Sequence, residues 1–230
     1  MTNFNIKIVS DAVCPWCYIG KKRLERAISI YQKTVPDAAQ DTFTITWHPF
    51  YLDPNLPKAG VDSKTHLARK FGPERATMIQ ARVHALGKSE GIEFSFSGKL
   101  GNTRDAHRLV QFAKTKSNEV ENKVIAELFT SYFEQGGDVT SHDMLAAAAE
   151  RAGLDRSEAA KWLGEGKGGS EVDREVEEAY QKGISGVPNF TINGRPDISG
   201  AQDPETFLEE FIRIKRSAAG VSNPSEGLSC

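Results

Sequence analysis

The sequence predicts an α/β fold carrying a large all-helical insertion, and three observations carry that prediction. Residues 4 to 9, FNIKIV, alternate apolar and polar side chains as a half-buried strand does. A helical texture then runs from about Ser63 to Lys182. Strand-like runs return at residues 186 to 199 and are followed by one more helix. The order is β-α-β, a helical block, then β-β-α. Each outer piece alone is too small to bury a sheet, so the two belong to one sheet with the block inserted between them. On this reading residues 1–60 and 184–216 form a discontinuous α/β domain, residues 61–183 an inserted helical domain, and residues 217–230 a disordered tail.

The first strand runs straight into Cys14. Pro15 is tolerated in a first helical turn, and beyond it Leu24, Ala27, Ile28 and Tyr31 fall at i, i+3, i+4 and i+7, which predicts a helix with one apolar face. Lys21, Lys22 and Arg23 read as its solvated face. Pro36 closes the helix, and FTITW at 43 to 47 alternates as a second strand ended by the proline-rich HPFYLDPNLP. Roughly five to seven helices are expected in the central block. There Ile125, Leu128, Phe129 and Tyr132 share one face, and capping patterns recur at Thr140-x-x-Asp143 and Asp155-x-x-Glu158. The run Gly164 to Gly169 fails as a phosphate loop because it follows a helix and Lys167 precedes glycine, so it reads as an inter-helix loop. In GVPNFTINGRPDIS, residues 186 to 199, the Asn193-Gly194 turn signal joins two short strands into a hairpin. Asp203-Pro204-Glu205 opens the last helix, with Phe207, Phe211 and Ile214 aligned and Leu208 and Ile212 beside them.

Charge and composition exclude several classes of function. The chain has 230 residues, a formal net charge of -2 and no long run of one sign, so nothing points to nucleic acid. The start, MTNFNIKIVSD, lacks the basic and apolar regions of a secretory signal, and no stretch approaches the roughly 18 apolar residues of a membrane span. A cytoplasmic protein is expected. Three cysteines argue against a secreted disulfide framework, and Cys230 reads as a free tail thiol without a role.

The other two cysteines stand in SDAVCPWCYIGKKRLE, where strand gives way to helix. A zinc site needs four ligands, and the histidines His66, His84, His107 and His142 are scattered, so no metal is expected. Covalent haem attachment needs His after the second cysteine, where Tyr18 stands. Two ordinary semi-buried thiols remain one alternative. A redox pair is the other: unpaired N–H groups and the helix dipole at a helix start stabilise a thiolate at Cys14. Cys17, one turn in, is placed to resolve a mixed disulfide on Cys14. Pro15 and Trp16 fix the loop and give it an apolar rim. Far along the chain, Val187-Pro188 precedes the strand NFTI, and proline belongs at such a strand start.

SDAVCPWCYIGKKRLE, WHPFYLDP at 47 to 54, NTRDAHRL at 102 to 109 and GVPNFTINGRPDISGAQDPETF at 186 to 207 together resemble the DsbA-like branch of the thioredoxin superfamily. The likeness is nearest to FrnE-like members, relatives of 2-hydroxychromene-2-carboxylate isomerase and kappa-class glutathione transferases. It implies a thioredoxin fold with a large all-helical insertion, Cys14 as nucleophile, Cys17 as resolving thiol and a cis peptide before Pro188 beside the cysteine loop. The backbone at Val187 would then be free to pair with an incoming peptide or with glutathione. The isomerases and transferases carry serine at the position of Cys14, so the cysteine pair favours dithiol–disulfide exchange on a protein or small-molecule substrate. The alternative is a thiol- or glutathione-dependent isomerase or transferase acting on a small conjugated molecule. Where those relatives hold glutathione with a polar-acidic pair, Gly200-Ala201-Gln202 stands here, so no cofactor is expected to bind tightly and glutathione enters as reductant or co-substrate, with Gln202 a candidate contact. Trp47, His48 and Phe50 are candidates to line a substrate groove, and Asn102 borders the corresponding cleft in the isomerases. A homodimer is the assembly such relatives suggest.

Overall fold

A computed structural model describes residues 1–218 and 220 of the chain. The first strand, β1 (Asn3–Ser10), buries Phe4, Ile6 and Ile8 and exposes Asn3, Asn5 and Lys7, the alternation that the sequence predicts. Helix α1 (Pro15–Thr34) follows, burying Leu24, Ala27 and Tyr31, and stops at Val35 before Pro36. Strand β2 (Thr42–Pro49) comes next, then a two-residue strand β3 (Val61–Asp62), α2 (Ser63–Phe71) and α3 (Pro73–Ser89). Gly72, with φ at +82°, and Pro73 divide α2 from α3. The block continues through β4 (Lys99–Leu100), α4 (Arg104–Lys114), α5 (Asn118–Phe129), α6 (His142–Arg151), α7 (Arg156–Gly164) and α8 (Gly169–Gln181). It ends in β5 (Asn189–Ile192), β6 (Ile198–Ser199) and α9 (Pro204–Ala218).

The main sheet has the order β2-β1-β5-β6. β1 pairs parallel with β2 from Asn3↔Thr42 to Ser10↔Pro49 and antiparallel with β5 from Ile6↔Ile192 to Val9↔Asn189. All four strands thus come from the two ends of the described chain, and helices α2 to α8 lie between them in sequence. The hairpin turn is as expected: Asn193 and Gly194 both take positive φ, and Arg195 N–H donates to the Ile192 carbonyl at 3.0 Å. One continuous core joins sheet and helical block, from Phe4 and Ile192 to Leu145 and Ala159. At one end Phe4, Tyr31, Phe43 and Phe211 pack with ring centroids 4.7 to 5.7 Å apart, tying β1, α1, β2 and α9 together.

Four details differ from the sequence expectation. The β3–β4 pair was not foreseen, because two residues are too few to display an alternation. The cap of α6 is Ser141, which accepts from Met144 N–H, while Thr140 instead bonds Asp138 and Gly60; Asp155 caps α7 as expected. Lys21 is buried against Glu25, and Arg23 ties Glu90, Asp203 and the Ala201 carbonyl together, so this basic run is not a solvated face. Ser217 and Ala218 belong to α9 rather than to a tail, whereas residue 219 and residues 221–230, with Cys230, lie outside the described residues.

Candidate active site

β1 delivers the cysteine loop. After Ser10 the chain turns, with Cys14 N–H donating to the Asp11 carbonyl at 3.1 Å, and Cys14 becomes the N-cap of α1 in extended conformation. Pro15 occupies the first turn, where no N–H is needed, and Cys17 N–H donates back to the Cys14 carbonyl at 3.0 Å. Both cysteines are free thiols, each 1% exposed. The Cys14 thiol faces the Val187 carbonyl oxygen at 3.6 Å, and the Val187–Pro188 peptide is cis. The structure therefore brings Cys14, Pro15, Cys17, Val187 and Pro188 together, with Trp16 at the rim. Burial pushes the Cys17 thiol well up from its ordinary value, and the neighbouring Cys14 adds to this. Cys17 is thus kept a thiol at rest.

Close approach at this point depends on Gly20. A Cβ there would meet the Pro188 ring at 3.0 Å and the Phe190 ring at 3.1 Å. Beneath the loop, buried Asp11 accepts from Leu52 N–H at 2.8 Å, and its other oxygen lies 3.4 Å from His107 Nε2. Sequence reasoning set His107 aside among the scattered histidines and did not single out Asp11. An acidic residue wedged between an apolar strand and a cysteine loop was the available signal.

Cys14 opens on a cavity of about 350 Å³, lined by Val13, Cys14, Pro15, Trp16 and Val187 on one side and by residues of α2 and α3 and Phe133 on the other. Leu52 and Leu56, from the segment after β2, complete its apolar wall.

The candidate groove residues lie elsewhere. Trp47 is buried with its backbone N–H on Glu121 and its indole N–H on Asn122, both of α5. His48 Nδ1 pairs with Glu175 of α8 at 3.0 Å. Trp47 and His48 border a separate cavity of about 10 Å³, room for one water and not for a substrate. Phe50 packs on Tyr180 and, with Val9 and Ala179, supports Val187 from behind. The end of the edge strand β2 is covered by α5 and α8, so Trp47 is taken up as core and His48 is held by α8, while Phe50, just past the strand, packs on Tyr180 of α8. Asn102 accepts from Arg104 N–H at 3.0 Å and serves the start of α4. Gln202 turns back onto the Ser199 carbonyl at 2.8 Å. None of these five lines the cavity at Cys14.

Comparisons with known proteins identify relatives of the chain and of its fold. A family model described as a DSBA-like thioredoxin domain matches residues 5–211. The chain is 29% identical over 209 residues to the uncharacterized protein YwbO of Bacillus subtilis strain 168, covering 88% of this chain and 93% of that protein. It is similar to the crystal structure of a probable DsbA oxidoreductase from Streptomyces coelicolor, with a TM-score of 0.79 and 28% identity, over 99% of this chain and 94% of that one. The fold, at 15% identity and a TM-score of 0.66, is also that of 2-hydroxychromene-2-carboxylate isomerase, over 95% of this chain and 100% of that one.

Proposed function

Because the chain belongs to the DSBA-like thioredoxin domain family, we propose that it is a thiol–disulfide oxidoreductase with Cys14 as nucleophile and Cys17 as resolving thiol. The observation that carries this reading is the asymmetry of the pair: Cys14 caps α1 and opens on a cavity beside Val187, while Cys17 sits one turn behind it with its thiol pushed up by burial. The Cys14 thiolate attacks one sulfur of a substrate disulfide, the second substrate sulfur leaves, and a Cys14 mixed disulfide forms. Cys17 then attacks Cys14, its proton passing to the departing sulfur. The substrate ends as two thiols, reduced by two electrons, and the enzyme as a Cys14–Cys17 disulfide. A low-molecular-weight thiol such as glutathione restores the dithiol, and the reverse sequence oxidises a dithiol substrate. Among the described residues no helix is long and apolar enough to cross a membrane. We place the reaction in the cytoplasm, acting on protein or small-molecule disulfides.

The test is insulin-disulfide reduction. Wild type is expected to reduce insulin, Cys14→Ser to lose the activity, and Cys17→Ser to accumulate a mixed disulfide. Equal activity in both variants would sink the assignment. The cavity also favours a second reading, in which the Cys14 thiolate adds reversibly to a conjugated small molecule to permit isomerisation. That reading requires Cys17→Ser to turn over an enone substrate as wild type does.

A further inference from the structure

The first turn of α1 carries Cys17 and begins at Cys14, yet its own sequence does little to fix it. Cys14 stands at the cap position without a side-chain capping bond, Pro15 has no N–H to give, and the turn holds no acidic side chain. Among the described residues, Tyr18 is the one member of residues 15 to 22 whose side chain hydrogen-bonds another element. The next such tie comes from Arg23, to Glu90 and the Ala201 carbonyl.

Tyr18 directly follows Cys17 and is 3% exposed. Its hydroxyl donates to Glu134 Oε1 at 2.6 Å, and its ring stacks on Phe129 with centroids 5.0 Å apart. Glu134 is brought there by a π-helical turn, Thr130–Glu134, that prolongs α5: Gln135 N–H donates to the Thr130 carbonyl, five residues back, at 3.1 Å. A turn of this width re-aims the side chains that follow it, a device frequent at functional sites. The other oxygen of Glu134 accepts from Glu93 N–H at 3.3 Å, so the acceptor is itself held.

Consecutive side chains of a helix project about 100° apart. Fixing Tyr18 against Phe129 and Glu134 therefore fixes the direction of Cys17. That direction matters because displacement at sulfur needs the attacking, central and departing sulfurs nearly in line. We propose that Tyr18 and Glu134 are positioning residues for the resolving step: they hold the Cys17 sulfur on the line of attack once Cys14 carries a mixed disulfide. The inference rests on the exchange reading of Cys14 and Cys17, and it makes the helical insertion a working part of that exchange.

Reduced full-length protein carrying Cys230→Ser, mixed with oxidised glutathione and quenched in acid, separates the two steps by intact mass. The Cys14 thiolate attacks one glutathione sulfur and the first glutathione leaves and takes up a proton, so the chain gains one glutathionyl group. Cys17 then attacks the Cys14 sulfur and the second glutathione leaves with the Cys17 proton; the pair has lost two electrons and the glutathione disulfide has gained them. Tyr18→Phe keeps the ring and removes the hydroxyl, so the adduct is expected to form at the wild-type rate and to close about tenfold more slowly. Glu134→Ala should slow closure likewise, and Glu134→Gln, which keeps an acceptor, should recover most of the wild-type rate. Tyr31→Phe is the control, since Tyr31 lies on the same helix far from Cys17 and its hydroxyl donates to buried Asp41 at 2.6 Å; it should leave closure unchanged whatever it costs in stability. Closure no slower and adduct no more abundant in Tyr18→Phe, or equal slowing in Tyr31→Phe, would overturn the positioning role and leave exchange standing. A wild type that forms neither adduct nor internal disulfide would remove the exchange reading itself.

Discussion

The sulfur of Cys14 lies 3.6 Å from the carbonyl oxygen of Val187, a residue 173 positions further along the chain. The contact is a product of sheet register. β1 leads to Cys14 and β5 begins just after Pro188, and their pairing at Val9↔Asn189 sets the two loops side by side. A slip of one residue would turn each strand's core side chains outward, so the same hydrophobic alternation that buries Phe4, Ile6 and Ile8 also positions the thiol.

Gly20 is the position where this arrangement is most sensitive to one methyl group. In an unconstrained helix interior glycine to alanine stabilises by about 1 kcal/mol. Here the new Cβ would meet Pro188 at 3.0 Å and Phe190 at 3.1 Å, and Phe190 is fully buried with no room to retreat. Gly20→Ala is expected to destabilise by roughly 1 to 2 kcal/mol in urea unfolding, with slower disulfide exchange. A gain in stability would show that the 187–190 segment yields.

Glu175 gives the fold a pH dependence in the acid range. Burial would raise its carboxyl, but the His48 hydrogen bond, the Lys114 charge and the Gln111 hydrogen bond outweigh burial and hold it at about 2. An unfolded glutamate titrates near about 4.3. Its contribution is therefore complete above about pH 5 and is lost as pH falls toward about 2. Glu175→Gln is expected to cost roughly 2 to 3 kcal/mol at neutral pH and to flatten the stability profile below about pH 5, as read by denaturant titrations at a series of pH values.

Glu121 separates a hydrogen bond from a charge. It is 3% exposed, burial raises its carboxyl, and its oxygen accepts the Trp47 N–H of the edge strand β2 at 2.7 Å. Glu121→Gln keeps an acceptor and removes the buried charge, so unfolding at neutral pH is expected to show no loss of stability. Glu121→Ala orphans a buried N–H and is expected to cost about 1 to 3 kcal/mol. Equal losses in the two variants would mean that the charge itself is what β2 requires.

The parts legible in the sequence were those with a period or a punctuating turn. The alternation of FNIKIV, the apolar stripe of Leu24, Ala27 and Tyr31, and Asn193-Gly194 each encode their element locally. The cysteine loop and Val187-Pro188 were legible as chemistry because proline and cysteine are restricted in where they can serve. The cavity was not legible, because its walls bring together Trp16, His66, Ile79 and Phe133 from separate elements, and no local pattern marks their meeting. For the same reason Trp47 and Phe50 were misplaced: an aromatic side chain at a strand end looks alike in sequence whether a ligand or a helix covers it.

The most direct measurement is the redox equilibrium of the pair itself. Full-length protein carrying Cys230→Ser would be equilibrated against glutathione buffers of graded ratio, its thiols trapped by alkylation, and its intact mass read. One two-electron transition is expected, from a chain alkylated at both Cys14 and Cys17 to an unalkylated chain lighter than the dithiol by two hydrogen atoms. A chain that stays alkylatable at both cysteines across the series, or that gains glutathione without closing the Cys14–Cys17 bond, would contradict it.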